Sequence, residues 1–167
     1  MRVAILTLSD KGARGERVDA SGPALSAWLA ERGVTTVAAE VIADEYQQII
    51  AKLTAWADSD TADLILTTGG TGVSPRDVTP EATMQVVTRL IPGMAELMRL
   101  RSMEKTKMAA LSRAVAGIRA QSLIINLPGS PKGAVENLEA VWQVIGHAVE
   151  KIRGDSSDCG ERFTLTA

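Results

Sequence analysis

The stretch Leu64-Ile65-Leu66-Thr67-Thr68-Gly69-Gly70-Thr71-Gly72-Val73-Ser74-Pro75-Arg76-Asp77-Val78-Thr79-Pro80-Glu81-Ala82-Thr83 decides the fold class. It opens on three consecutive apolar residues, the pattern of a strand buried on both faces. Gly69, Gly70 and Gly72 follow, and glycine permits positive φ and close approach to backbone N–H groups. Thr79-Pro80-Glu81 then reads as an N-cap, a proline at the first helical position and an acid in the first turn. The order is strand, glycine loop, helix start. A glycine loop leaving the carboxyl end of a strand suits a phosphate, because its N–H groups and the helix N-terminus both favour an anion. Asp77, in the same loop, is an oxygen donor of the kind that holds the magnesium accompanying polyphosphates. The same glycines also suit a loop that only turns the chain, and both readings stand at this level. No lysine follows the glycines as in a P-loop, and the third glycine of the dinucleotide fingerprint is missing. A nucleotide bound here is therefore held by another scheme.

Working outward from that loop, strand-like and helix-like segments alternate. Residues 3–8 form a first apolar run, left through Ser9-Asp10-Lys11-Gly12. A helix is expected from Ser21-Gly22-Pro23, with Leu25, Trp28 and Leu29 on one face and Gly33 past its end. Residues 35–42 read as a second strand, followed by a helix to about Ala57 whose Ile49, Ile50, Leu53 and Trp56 share a face. Asp44 before that helix reads on its own as an N-cap. It nevertheless follows a strand, as Asp10 and Asp77 do, and ligands in open parallel sheets gather at the carboxyl ends of strands. Beyond the loop, helices are expected over 79–89 and 94–106, the second carrying Met94, Met98 and Met103 as core or interface residues. Residues 114–118 and 122–127 read as two more strands, with Gly117 leaving room for antiparallel pairing. A second glycine-proline loop, Pro128-Gly129-Ser130-Pro131-Lys132, starts a last helix that Ser130 can cap. Lys132 opposes that helix's dipole, which raises the suspicion of an anion partner. The expected fold is a single three-layer α/β/α domain over residues 1–153, its sheet mostly parallel with one antiparallel strand pair, and a tail over 154–167.

The chain has 167 residues, 46% hydrophobic and 23% charged, enough for one domain with a sizeable core. A net charge of −2 offers no broad basic field for nucleic acid, and 3% aromatic residues offer few stacking platforms. No apolar run approaches the roughly 20 residues of a membrane span, and the first residues lack the pattern of a signal peptide. A cytoplasmic protein without membrane or nucleic-acid partners is expected. One cysteine, Cys159, and one histidine, His147, make a Cys/His metal site implausible.

With these residues laid out, the chain resembles the molybdopterin adenylyltransferase family, the MogA/MoaB-like proteins of molybdenum cofactor biosynthesis. The resemblance runs from Met1 to about Arg153. It rests on Ser9-Asp10, Asp19-Ala20-Ser21-Gly22-Pro23, Asp44-Glu45 and Thr67-Thr68-Gly69-Gly70-Thr71-Gly72. It continues through Arg76-Asp77-Val78-Thr79-Pro80-Glu81, then Pro92-Gly93, Leu111-Ser112-Arg113, and Asn126-Leu127-Pro128-Gly129 with Pro131-Lys132. Lys11 departs from the arginine expected in many relatives.

The resemblance implies adenylylation of molybdopterin by Mg-ATP with release of pyrophosphate, ahead of molybdate insertion. It implies Asp44 and Asp77 as catalytic and magnesium-holding residues. Gly69, Gly70, Thr71 and Gly72, with Pro128, Gly129, Ser130 and Lys132, are implied as nucleotide-phosphate loops. Ser9, Asp10 and Arg76 are expected on the substrate side. The family further implies a homotrimer or higher homo-oligomer and, as a partner, the molybdate-insertion enzyme. The alternative is a non-catalytic molybdopterin-binding or scaffold protein of the same fold.

Overall fold

Three mainly apolar runs become the middle of the sheet. In the computed structural model, which describes residues 1–156, β1 (Arg2–Leu8), β3 (Leu64–Thr68) and β6 (Ser122–Leu127) lie side by side. β2 (Thr35–Ile42) flanks β1, and all these pairings are parallel. Beyond β6 the sheet turns antiparallel with β5 (Ala116–Arg119) and the two-residue β4 (Arg89–Leu90), giving the order β2-β1-β3-β6-β5-β4. The middle of the sheet is buried on both faces because its strands alternate between two cores. Val3, Ile5, Leu64, Leu66, Leu123 and Ile125 pack against α2 (Ser21–Ala30), α5 (Pro92–Met103) and α6 (Pro131–Ile152). Ala4, Leu6, Ile65 and Ile124 pack against α3 (Tyr46–Asp58) and α4 (Thr79–Val86). Each fully buried leucine or isoleucine contributes about 1.5–3 kcal/mol, so the three-layer arrangement follows from where the apolar residues are.

The path of the chain makes a crevice. From β1 the chain crosses through α2 to β2, then through α3 to β3 on the other side of β1. The two helices lie on opposite faces, so the loops leaving β1 and β3 diverge at the carboxyl end of the sheet. At the opposite end, Asp63 ties the structure together. It accepts from the backbone N–H of Arg2 at 2.6 Å, the Arg2 guanidinium at 2.8 Å and Arg153 Nε at 3.0 Å.

Several local expectations are corrected. The helix after the glycine loop stops at Val86 instead of running to 89, because Val87 is extended and Arg89–Leu90 pairs with β5. Gly117 makes that possible: a Cβ there would lie 2.8 Å from Arg89 O and 2.9 Å from Val87. The next helix is Pro92–Met103, and a 3-10 turn at Lys107–Leu111 and a short α1 (Asp10–Ala13) were not anticipated. Thr79 is not an N-cap but the first helical residue; its N–H donates to Gly70 O and its hydroxyl to Gly69 O. Asp44 does not cap α3 either, since Glu45 occupies that position without a side-chain cap. Among the described residues no helix is long and apolar enough to cross a membrane. Cys159 and all but the start of the expected tail lie outside the described residues.

Candidate functional site

The carboxyl ends of β1, β2, β3 and β6 open into one cavity of about 510 Å³. Its wall takes Thr7, Leu8, Ser9 and Gly12 from β1 and its exit, and Asp44 from the loop after β2. Thr68, Gly69, Gly70 and Asp77 come from β3 and its loop, and Gly129, Ser130 and Pro131 from the start of α6. These residues sit at strand ends, in the loops that leave them or at helix starts.

The glycine loop turns sharply as it leaves β3. Gly69 has φ +110° and Gly70 φ +63°, conformations that L side chains rarely adopt. Both are also packed too closely for a side chain: a Cβ at Gly69 would lie 2.3 Å from Leu8 O, and one at Gly70 2.3 Å from Thr79 Oγ1. Gly69 N–H donates to Leu127 O and Thr68 Oγ1 to Pro128 O, so the loops after β3 and β6 are held to each other. Among the described residues none accepts from the N–H groups of Gly70, Thr71 or Gly72, so these donors are open to a ligand.

Asp44 and Asp10 hold each other through reciprocal main-chain bonds. Asp10 N–H donates to Asp44 Oδ2 at 2.9 Å, and Asp44 N–H to Asp10 Oδ1 at 3.1 Å. Burial pushes the Asp44 carboxyl above its ordinary range; the Asp10 N–H acts the other way, and the nearby Asp10 and Asp77 charges add to the rise. Asp77 Oδ2 accepts from Ser74 N–H at 2.8 Å, closing the turn that aims this side chain. Oδ1 of each acid is left without a hydrogen-bond partner among the described residues, and Asp44 Oδ1 faces Gly70. The described residues contain no group of three or more His, Cys, Asp or Glu that could hold a metal alone. Two carboxylates with free oxygens, one disfavoured as a bare anion, nevertheless fit magnesium, which takes one or two carboxylates plus substrate phosphates.

The structure spreads the other expected residues differently. Ser9 lines the cavity, and its hydroxyl caps α1 by accepting from Gly12 N–H. Asp10 and Arg76 are turned to one another: Arg76 donates to both Asp10 oxygens and to Glu45, and these bonds hold the Asp10 carboxyl below its usual range despite partial desolvation. Thr71, Gly72, Pro128 and Lys132 do not line the wall, and Lys132 is exposed. Ser130 caps α6, its Oγ accepting from Gly133 N–H at 3.2 Å.

Asp19 lines the cavity beside Arg17 and Val18 and was not among the expected site residues. Its carboxylate accepts from Thr7 Oγ1 and from the N–H groups of Ser21 and Gly22. Burial works to raise its pKa, but these bonds outweigh it and hold the group low. An aspartate two residues before Ser21-Gly22-Pro23 is a capping signal, and that pattern could have found it.

Known proteins resemble the chain throughout this architecture. A family model described as "Probable molybdopterin binding domain" matches residues 4–147. The molybdopterin adenylyltransferase of Helicobacter pylori strain J99 is 42% identical over 164 residues, covering 97% of this chain and 93% of that protein. The molybdopterin adenylyltransferase of Escherichia coli K12 is 42% identical over 151 residues, covering 89% and 77%. Among solved structures, the molybdopterin biosynthesis enzyme MoaB of Thermus thermophilus matches with a TM-score of 0.86 at 55% identity, covering 92% of this chain and 97% of that one.

Proposed function

The chain belongs to the molybdopterin-binding family of MogA/MoaB-like proteins, and on that premise we propose that it is a molybdopterin adenylyltransferase of molybdenum cofactor biosynthesis. It is a nucleotidyltransferase with molybdopterin and ATP as substrates. An oxygen of the molybdopterin phosphate bonds to the α-phosphorus of ATP. The bond from that phosphorus to the oxygen bridging to the β-phosphate breaks, and pyrophosphate leaves with that electron pair.

The observation that carries this reading is the meeting of Asp44, Gly69, Gly70 and Asp77 on the wall of one cavity. Its volume falls in the range of about 300–1,000 Å³ common for small-molecule sites. The nucleophilic phosphate has a second pKa of about 6 and is ionised at neutral pH, so the chain need not supply a base. The cavity wall accordingly works with no histidine or cysteine among its described residues. What the chain supplies is alignment and charge compensation. The unpaired N–H of Gly70 on the wall, continued by those of Thr71 and Gly72 beyond it, would cradle the polyphosphate, while Asp44 and Asp77 would hold the magnesium that comes with it. Bound there, magnesium neutralises charge on the phosphates. Ser9, Asp19 and the start of α6 line the remaining wall, where the pterin lies. Arg76, paired with Asp10 and Glu45, ties the glycine loop to the segments that leave β1 and β2.

A homotrimer or higher homo-oligomer in the cytoplasm completes the reading, with a hand-over to the molybdate-insertion enzyme. Exposed Leu100, Met108 and Leu111 on α5 and the 3-10 turn support self-association. The deciding experiment incubates the chain with molybdopterin and Mg-ATP. Pyrophosphate and adenylylated pterin in equal amounts are expected; tight pterin binding without pyrophosphate identifies a binding protein instead.

A further inference from the structure

Arg113 lies between the 3-10 turn and β5, off the cavity wall, yet it grips the glycine loop from behind. Its backbone N–H donates to Thr71 O at 3.0 Å and its Nε to Gly72 O at 2.6 Å. Nη2 donates to Asp77 O, and Nη1 ion-pairs with Glu81 in the first turn of α4. Gly72 and Asp77 bound the most exposed part of the span between β3 and α4, with Val73, Ser74, Pro75 and Arg76 all exposed. Inside that span the bonds are the Ser74–Asp77 turn and the Arg76 pairings.

We propose that Arg113 is a positioning residue for adenylyl transfer, fixing both ends of the 72–77 loop so that the Asp77 carboxylate stays aimed into the cavity. The inference rests on the function proposed above. Arginine suits the task because its planar fork presents donors in fixed directions, so carbonyls that it bridges cannot drift independently. A lysine ammonium reaches one or two of these acceptors and leaves their spacing free. Two features support the assignment. Glu81 Oε2 is buried with no hydrogen-bond partner, so the pairing with Arg113 is what balances that carboxylate next to Asp77. Arg99 in turn donates to Ala114 O at 3.0 Å, which steadies the segment carrying Arg113 from α5. Arg113 has no bond to Thr7, Asp19, Ser130 or Pro131, so its loss should spare the pterin side.

The test compares the native chain with Arg113→Ala and Arg113→Lys in pyrophosphate release, magnesium titration, molybdopterin titration and amide exchange of residues 72–78. Loss of a supporting partner of this kind typically lowers activity or metal affinity by about 10–100-fold. Arg113→Ala should therefore lower kcat and raise the magnesium needed for half-maximal rate by about that factor. Pterin affinity should stay unchanged, and exchange at 72–78 should speed up. Added guanidinium should restore part of the Arg113→Ala rate, and Arg113→Lys should fall between the two. If Arg113→Ala does not fold, Arg113→Lys carries the same comparison. Native kcat, magnesium requirement and loop exchange in the variants overturn the inference. So does a loss of rate matched by lost pterin affinity with no guanidinium rescue. A native chain that binds pterin yet releases no pyrophosphate overturns the function itself, a result separable from either.

Discussion

Replacing Gly69 by alanine tests the geometry of the loop at a single atom. The added Cβ would lie 2.3 Å from the carbonyl oxygen of Leu8, whereas real Cβ contacts essentially never fall below 3.0 Å. At least 3.0 − 2.3 = 0.7 Å of movement is required. Neither side can give it freely. Leu8 ends a buried strand, and Gly69 is tied by its N–H to Leu127 O and by its carbonyl to Thr79 Oγ1. Gly129 packs close by as well, near enough that a Cβ added there would lie 3.2 Å from Gly69 Cα. Holding alanine at φ +110° adds strain of about 1–3 kcal/mol. Overpacking adds about 1–3 kcal/mol, so the expected loss is about 2–6 kcal/mol. Urea unfolding at one fixed protein concentration measures it, with Gly146→Ala as control. Gly146 sits on the exposed face of α6 with nothing within 4 Å, so alanine there should stabilise by about 0.5–1 kcal/mol. A Gly69→Ala midpoint equal to the native one, beside a stabilised Gly146→Ala, would refute the close approach of β1 to the loop.

Asp77→Asn keeps an acceptor for Ser74 N–H and removes the charge; it should fold, bind molybdopterin and lose about 10²–10³ in pyrophosphate release. Full activity would remove Asp77 from the mechanism. At the other end of the sheet, burial tends to raise the Asp63 pKa, but hydrogen bonds from Arg2 and the Arg153 and Arg2 charges bring it below the ordinary value. Its stabilisation is thus complete above the unfolded carboxylate's pKa of about 3.9 and is lost as pH falls through the lower folded value. Asp63→Asn should cost about 1–3 kcal/mol at pH 7 and flatten the acid limb of a stability-versus-pH curve; parallel curves for variant and native chain would contradict this. Sedimentation at micromolar concentration should find an oligomer that Leu100→Glu with Met108→Glu dissociates, and a monomeric native chain would sink the self-association.

The layers of the fold were legible because burial on both faces leaves a mark in one dimension. The runs at 3–8, 64–66 and 123–127 are apolar but for Thr7 and Asn126, and those strands form the buried middle of the sheet. The glycine loop was legible for a related reason, since Gly69 and Gly70 sit at positive φ and beside atoms that exclude a Cβ. Asp44 and Asp77 stood out only by following strands, and local signals misled about their surroundings. Asp44 has the composition and place of a helix cap, yet its carboxylate turns to Asp10 N–H, 34 residues away in the chain. Thr79 likewise looks like a cap and instead bonds back to Gly69 and Gly70.

Short-range propensity thus marked the main strands and helices, though not β4, α1 or the 3-10 turn, and it put acids and glycines at strand ends. Which of them share a cavity was decided by the tertiary structure alone. Sheet order places β1 between β2 and β3, and only then do Asp44, Gly69 and Asp77 meet. The pairing of Arg76 with Asp10 and the grip of Arg113 on Gly72 and Asp77 span 66, 41 and 36 residues. No local pattern encodes such contacts, because an arginine's partner is set by where the folded chain brings a carbonyl or carboxylate and not by its neighbours in sequence.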